Sequence, residues 1–596
     1  MTLSWDGCLA LGAIVTGGPL LWALWMLAQR KMGQSTSDLK EQIDHGDAGE
    51  GSPGREMTDG LSYLMTLLGY AIGIGNLWRF PYLVGKWGGG AFVLAYLTSL
   101  VFIAAPLYMM ELGMGHYTRR STLDCFRLIH PRWVGLAIGQ SLMIFICLTY
   151  FNVLIAYCGV YVVSALKDPL PWSPEAMFNQ LPVPTGADTA VLGRSAAQLF
   201  WVDHVLNKYP GSLEGLGLGG VQLNLVLSLA FVWLLVFLAL AFGKKVLAQV
   251  TWVTVIGPVI LLAFFLFQAL RLPGAWDGVH FYIGKFDTQR LGDIELWATA
   301  CSQILFSLSP GFGTAVTMTS YTDPKTNVIR TCLTVAFCNS AFSLTGGFAI
   351  FGILGNLALR TGRTVADVAS ASGPGLAFIA IADGMRTFGP FANAMAVFFF
   401  VMLMSLGLDS TFAWVETLVS IIEDYLHSRG RKVSTKVIVG SLCLTLFVLG
   451  IPFCTRMGGA LLDVVDHYVG SMFLLLACCV EVFMFNVGYK FRRLTGGLRI
   501  STGQNLAPEF FWRFCYMVPV PLGTGGLFMY LMYSAVKRPY GGYPHWLQGL
   551  GWTLLGTCVL CMLSTIAKKG KSSLVPFDTN DEDSDEMDSS DDSDAP

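Results

Sequence analysis

Apolar runs long enough to cross a bilayer recur almost without pause between residues 61 and 566, and this recurrence leaves the chain few choices. Hydrophobic residues make up 54% of the chain and charged residues 13%, with a mean hydropathy of +0.57. These values describe an all-α polytopic membrane protein rather than a string of soluble domains. Apolar length predicts twelve core helices at about 62–85, 90–115, 133–166, 221–242, 247–270, 292–321, 330–357, 393–424, 436–454, 459–489, 508–534 and 545–566. Ahead of them, residues 8–28 form one more apolar run, followed at once by Gln29, Arg30 and Lys31. A signal peptide carries its positive charge before the apolar run and ends in small residues, so an uncleaved extra N-terminal transmembrane helix is expected.

Positive charge sets the orientation. Arg119, Arg120, Arg127 and Arg132 fall between core helices 2 and 3, and Lys244 and Lys245 between 4 and 5. Arg429, Arg431, Lys432 and Lys436 fall between 8 and 9, and Lys490, Arg492, Arg493 and Arg499 between 10 and 11. With twelve crossings, all four loops share a side with the polar linker 33–60 and with Lys568, Lys569 and Lys571. The expectation is an integral protein of the plasma membrane with its N-terminus outside and its C-terminus cytoplasmic. Ten of the 40 acidic residues lie between Asp578 and Asp594; the rest of the chain sets 38 Lys and Arg against 30 Asp and Glu. The stretch after Phe577 lacks the apolar residues needed to fold and reads as a disordered tail. Ser584, Ser589, Ser590 and Ser593 have acids close behind them and are candidates for phosphorylation, although a solvating tail is the simpler reading. Nothing in the sequence points to a nucleic-acid partner or fixes an oligomeric state.

Two long segments, 167–219 and 358–392, lie on the opposite side, and long loops between packed spans usually cap or gate something. Nearly all of the 14 cysteines sit in predicted spans, and 167–219 has none, so buried thiols are expected rather than a disulfide framework.

Two core helices break themselves mid-membrane. In the first, residues 69–82 read GYAIGIGNLWRFPY; Gly73 and Gly75 weaken the ladder, and Asn76 and Arg79 are polar where lipid would penalise them. In the sixth, residues 303–313 read QILFSLSPGFG. Such breaks persist only where the freed N–H and C=O groups face protein, water or a ligand. Broken helices opening two successive five-helix blocks point to an inverted-repeat (5+5) transporter fold with its site at the midplane.

These stretches, with KWGGGAF at 86–92, SLGLDSTF at 405–412 and FWRFC at 511–515, resemble the neurotransmitter:sodium symporter family over about residues 60–566. The resemblance divides the chain into the extra helix and linker (1–60), a transporter core (61–566) and the acidic tail (567–596). It implies a first sodium held by the Ala71 carbonyl with Asn76, Ser307 and Asn339. It implies a second held by the carbonyls of Gly69, Ile72 and Leu406 with Asp409 and Ser410. Asp409 draws attention without the resemblance, because a carboxylate closing the apolar run NAMAVFFFVMLMSLGLD is costly unless it meets a cation. Tyr96, Gln303, Ser307, Asn339 and Ser343 match the family's chloride positions; members that do without chloride carry an acid where Ser343 stands. Polar groups joining helices are the competing reading of each residue alone.

Gly73 stands where the family's monoamine carriers place an aspartate and its amino-acid carriers a glycine. The resemblance therefore implies a substrate with its own carboxylate, such as a small amino acid, meeting the amides of Ile74 and Gly75. Tyr70, Phe306, Ser309, Phe312 and Ser410 would line the rest of the pocket. Two departures qualify this. Phe151 replaces a tyrosine whose hydroxyl normally bonds the substrate carboxylate, and Trp414 stands where relatives often have a smaller residue, so that it either shortens the pocket or packs outside it. Arg79 and Asp466 resemble the outer gate pair, and Arg55 and Asp424 the inner one, although the spacing around Arg55 departs from the family pattern. Glu111 is expected to brace the broken sixth helix. Segment 167–219 also lacks the cysteine pair and glycosylation sequons of animal relatives.

The function implied is sodium-coupled and chloride-dependent symport, with no organic cofactor and no chemical reaction. A ligand-binding sensor built on the same fold would keep the pocket without needing working gates. No HExxH sequence, nucleophile motif or paired catalytic acids in one span supports an enzyme.

Overall fold

A computed structural model describes residues 60–176, 195–208, 217–241, 244–323, 326–372, 375–502 and 505–569. The extra N-terminal helix, the linker with Arg55 and the acidic tail lie outside the described residues. Core helix 1 is split into α1 (Gly60–Ala71), α2 (Ile74–Leu77) and α3 (Arg79–Trp87). Core helix 2 consists of α4 (Gly90–Ser99) and α5 (Ala105–Thr118), joined by a π turn, and α6 (Thr122–Ile129) connects it to α7 (Val134–Ala165). Then come α8 (Leu223–Ala241), α9 (Lys244–Leu270), the split sixth helix α10 (Ile294–Leu308) and α11 (Thr314–Thr319), and α12 (Val328–Thr361). The second half continues with α13 (Ala392–Ser428), α14 (Thr435–Gly450), α15 (Gly458–Val465), a π segment Asp466–Phe473 and α16 (Leu474–Met484). It ends with α17 (Phe491–Thr502), α18 (Glu509–Met517), α19 (Pro519–Lys537) and α20 (His545–Leu563).

Among the described residues, ten helical segments are long and apolar enough to cross a membrane. The interrupted segments 60–87 and 294–319 miss that measure only because they are broken, and they supply the two remaining crossings. Burial sorts the spans. The window around α7 is 89% buried, whereas those of α8 and α9 are 33% and 28% buried, so α7 runs through the middle and α8 and α9 face the lipid. The packing of α7 along α13, and of α1 against α9, α12 and α13, sets the first break at the centre of the bundle.

Each break has a local cause. At the first, Gly73 is extended (φ −111°, ψ −178°), and the Asn76 side chain folds back so that its Oδ1 accepts the Gly73 N–H at 3.2 Å. A Cβ on Gly73 would stand 2.7 Å from Ser410 Oγ, so a larger residue would push into α13. At the second, Ser309, Gly311 and Gly313 have φ of 59°, 83° and 73°. The left-handed turn costs Ser309 about 1–2 kcal/mol, against which its Oγ donates to the Phe306 carbonyl at 2.9 Å. Gly311 is required twice over, since a Cβ there would lie 2.4 Å from Cys478 Sγ.

Candidate functional site

The freed amides of the second break are met by Glu111, whose Oε1 accepts from Gly311 N–H at 2.9 Å and Gly313 N–H at 3.3 Å. Glu111 is fully buried on α5 and braces the break from behind. Glu481 on α16 lies within hydrogen-bonding reach of it and accepts from Gln140 Nε2 at 2.9 Å.

Asn76, Ser307, Asn339 and Ser343 converge between the two breaks. Asn76 Nδ2 donates to Asn339 Oδ1 at 2.7 Å and to Ser343 Oγ at 2.9 Å. Ser307 Oγ lies 3.1 Å from Asn339 Oδ1 and 3.3 Å from Asn76 Oδ1. Three side-chain oxygens from three helices thus face one another beside the unwound segment. Gln303 joins them by donating Nε2 to the Gly75 carbonyl at 3.4 Å, with its own Oε1 buried and without a partner among the described residues. Tyr96 OH pairs with Ser340 Oγ at 3.3 Å, one helical turn or less from Ser343.

Asp409 is held differently. Thr254 Oγ1 donates to its Oδ1 at 2.8 Å, while Oδ2 is buried with no hydrogen-bond partner among the described residues. That oxygen points to the first break, 3.1 Å from where a Cβ on Gly69 would stand. Next to it, Ser410 Oγ donates to the Tyr70 carbonyl at 3.1 Å. Leu406 is buried one turn earlier on α13, and its carbonyl lies 4.0 Å from the Gly73 Cβ position. A buried carboxylate oxygen without a donor costs several kcal/mol unless a cation or proton meets it, and Gly69 beside it lies in the last turn of α1, just before the break.

The pocket aromatics form one cluster. Trp414 stacks on Phe312 (centroids 5.3 Å, 24°) and meets Phe151 and Phe306 edge-on at 5.0 and 6.0 Å. Trp414 thus touches three of the residues expected to line the pocket. Tyr70 OH closes this side by donating to the Ser309 carbonyl at 3.4 Å.

Above the cluster, Arg79 Nη2 meets Asp466 Oδ2 at 3.0 Å and donates to Ser471 Oγ at 2.9 Å, with its guanidinium 5.0 Å over the Phe306 ring. Tyr150 OH donates to Asp466 Oδ1 at 2.9 Å. The pair separates the aromatic cluster from an open cavity of about 1590 Å³ lined by Trp78, Tyr82, Asp463 and Tyr540. Arg55 is not among the described residues, so the structure does not pair it with Asp424, which sits half-buried near the end of α13.

Several contributors were not singled out from the sequence. Glu481 had a usable signal, a lone acid in the apolar run LLLACCVEVFM. Thr254 and Ser471 had none, because a Ser or Thr hydroxyl in a membrane helix commonly bonds its own backbone, and nothing sets Tyr150 apart from the other tyrosines in apolar spans.

The profile of the Sodium:neurotransmitter symporter family matches residues 55–572. The chain belongs to this family. Its relatives include the human sodium- and chloride-dependent neutral and basic amino acid transporter B(0+), 30% identical over 539 residues, with 84% of this chain and 83% of the relative covered. The bovine sodium- and chloride-dependent taurine transporter is 31% identical over 534 residues, covering 87% and 85%. Among solved structures, MhsT in complex with L-phenylalanine has the same fold, with a TM-score of 0.65 at 21% identity over 80% of this chain and 99% of that one. The family member is thus an integral membrane protein of the all-helical, broken-helix transporter fold, and its relatives are transporters, not enzymes.

Proposed function

We propose that this family member is a sodium-coupled, chloride-dependent symporter that imports a small amino acid or related carboxylate by alternating access. The observation that carries the reading is the unpartnered Oδ2 of Asp409, aimed at Gly69 in the last turn of α1 before the break. A hard cation bound there would join that carboxylate to the carbonyls of Gly69, Ile72 and Leu406 with Ser410 Oγ, which supplies the missing partner. The oxygens of Asn76, Ser307 and Asn339, with the Ala71 carbonyl, would hold a second ion. Chloride would sit against Tyr96, Gln303, Ser307, Asn339 and Ser343, adding negative charge next to that ion.

The substrate class follows from Gly73. Residue 73 has no side chain, and a Cβ there would stand 2.7 Å from Ser410 Oγ, so no carboxylate reaches the pocket from that position to pair an amine. The substrate brings its own carboxylate, facing the amides of Ile74 and Gly75 and the first sodium, and the bulk of Trp414 against Phe151, Phe306 and Phe312 favours a small side chain. Arg79 and Asp466 form the outer gate, and Arg55 with Asp424 the inner one. Each net charge entering down 100 mV contributes about 2.3 kcal/mol, and each tenfold sodium gradient about 1.4 kcal/mol per ion. The basic loops face the cytoplasm of a cell whose plasma membrane holds the protein.

The test is uptake of a labelled amino-acid panel into proteoliposomes, with sodium and chloride removed in turn. Uptake that needs sodium and chloride is expected. Sodium-independent uptake would overturn the coupling, and saturable binding without uptake would turn the reading to a sensor.

A further inference from the structure

The described chain leaves its last membrane helix beside a concentrated positive surface. Thr565 Oγ1 donates to the Arg132 carbonyl at 2.8 Å and accepts the Gly135 N–H at 2.7 Å, which fixes the end of α20 to the start of α7. Burial, with the neighbouring Arg127 charge, holds the Lys568 ammonium below its usual range. Across the same edge, a Cβ on Gly488 would stand 2.7 Å from Ile129, so Lys490 follows beside α6. Gly497 packs on Tyr117, which lays α17, with Arg492 and Arg499 exposed, across the end of α5. Among the described residues the acids at this edge are Asp124, paired with Arg127 at 2.6 Å, Asp323, whose charge acts on Arg119, and Glu509 at the start of α18. Arg127 and Lys568 are close enough for the charge of one to lower the proton affinity of the other, and a surface on which like charges repel in this way favours a polyanion.

The chain itself supplies one. From residue 572 onward it has no Lys or Arg, and the ten carboxylates between Asp578 and Asp594 begin nine residues after Lys569. Nine residues reach at most about 30 Å, so the first of these carboxylates stays near this edge and the rest of the segment follows within reach of it. A short tether gives an effective concentration in the millimolar range, which favours the chain's own segment over an untethered polyanion.

The surface is mechanically connected to the second break. Thr122, at the start of α6, donates its N–H to Thr317 Oγ1 at 3.2 Å and its hydroxyl to the Gly313 carbonyl, so α6 grips α11 at both ends of its first turn. Arg127 lies on the same short helix. We propose that the acidic segment 578–594 docks on the basic surface formed by α6, the start of α7 and α17, and thereby restrains α11 in its present position. Phosphate on Ser584, Ser589, Ser590 or Ser593 would add charge to the same contact.

Zero-length carbodiimide coupling of carboxylates to lysines tests this on the purified full chain in neutral phosphatidylcholine nanodiscs, with products mapped by mass spectrometry. Coupling of segment 578–594 to Lys490 is expected, because Lys490 is far from the tail in sequence; it should be lost in high salt and in the R132Q/R492Q/R499Q variant. The R132K/R492K/R499K variant should retain it, which separates charge from a folding defect. Absence of Lys490 products, or their persistence in the glutamine variant, would overturn the docking. Loss of the products when phosphatidylserine enters the nanodisc would assign the surface to lipid instead. Replacing the ten acids by their amides should speed thiol labelling of a Ser320→Cys reporter at the end of α11; unchanged labelling would overturn the restraint.

Discussion

Asp409 presents its Oδ2 to the backbone of Gly69, 3.1 Å from where a Cβ would stand, while Thr254 holds Oδ1 at 2.8 Å. The contact needs both the absent side chain of Gly69 and the break that follows it, and it leaves one carboxylate oxygen for a cation. Asp409→Asn keeps the shape and the Thr254 bond but removes the charge. Sodium stimulation of uptake should be abolished, along with the rise in melting temperature that sodium gives the purified protein. Retained sodium stimulation would remove Asp409 from the ion site.

Arg79 and Asp466 are both nearly buried, and breaking such a pair from one side leaves an uncompensated charge worth about 3–5 kcal/mol. If the pair gates as proposed, Asp466→Asn should loosen its hold over the aromatic cluster, although Ser471 and the Phe306 ring still hold Arg79. Dissociation of preloaded labelled substrate into sodium medium should accelerate at least about tenfold, equivalent to 1.4 kcal/mol. An unchanged rate would mean that the pair does not gate.

What could be read from the sequence was what a single position or a single period decides. Apolar length located the twelve core spans among the described residues within a few residues, the two glycine-rich breaks located the centre, and the isolated acids Asp409 and Glu111 announced themselves by their cost. Pairings that depend on how helices face one another were not legible. Nothing in the sequence says that Thr254 would bond Asp409 from α9, or that Ser471 would share Arg79. Tyr150 is the clearest case: one helical position separates it from Phe151, yet about 100° of rotation sends its hydroxyl to the gate acid and the Phe151 ring to Trp414.

That rotation makes Phe151 testable. Phe151→Tyr would put a hydroxyl on the pocket side, where Tyr150 cannot supply one. A hydrogen bond to a charged carboxylate contributes about 1.5–3 kcal/mol, or roughly 10- to 150-fold in affinity. The half-saturating concentration for a carboxylate substrate should fall within that range, with little change for an analogue whose carboxylate is amidated. Equal effects on both would show that the carboxylate is not near Phe151.

Ser343 offers the sharpest test of the anion. Its Oγ accepts from Asn76 Nδ2 at 2.9 Å and donates to the Asn339 carbonyl at 3.3 Å, fully buried next to Ser307. On the proposed function, a carboxylate fixed at this point would replace permanently the charge that chloride would bring, offsetting the sodium proposed beside it. Ser343→Glu should make uptake independent of chloride, while Ser343→Gln, equal in bulk but neutral, should keep the dependence or lose uptake altogether. If glutamate leaves chloride dependence unchanged, the anion lies elsewhere. If glutamine relieves it as well, volume rather than charge is responsible.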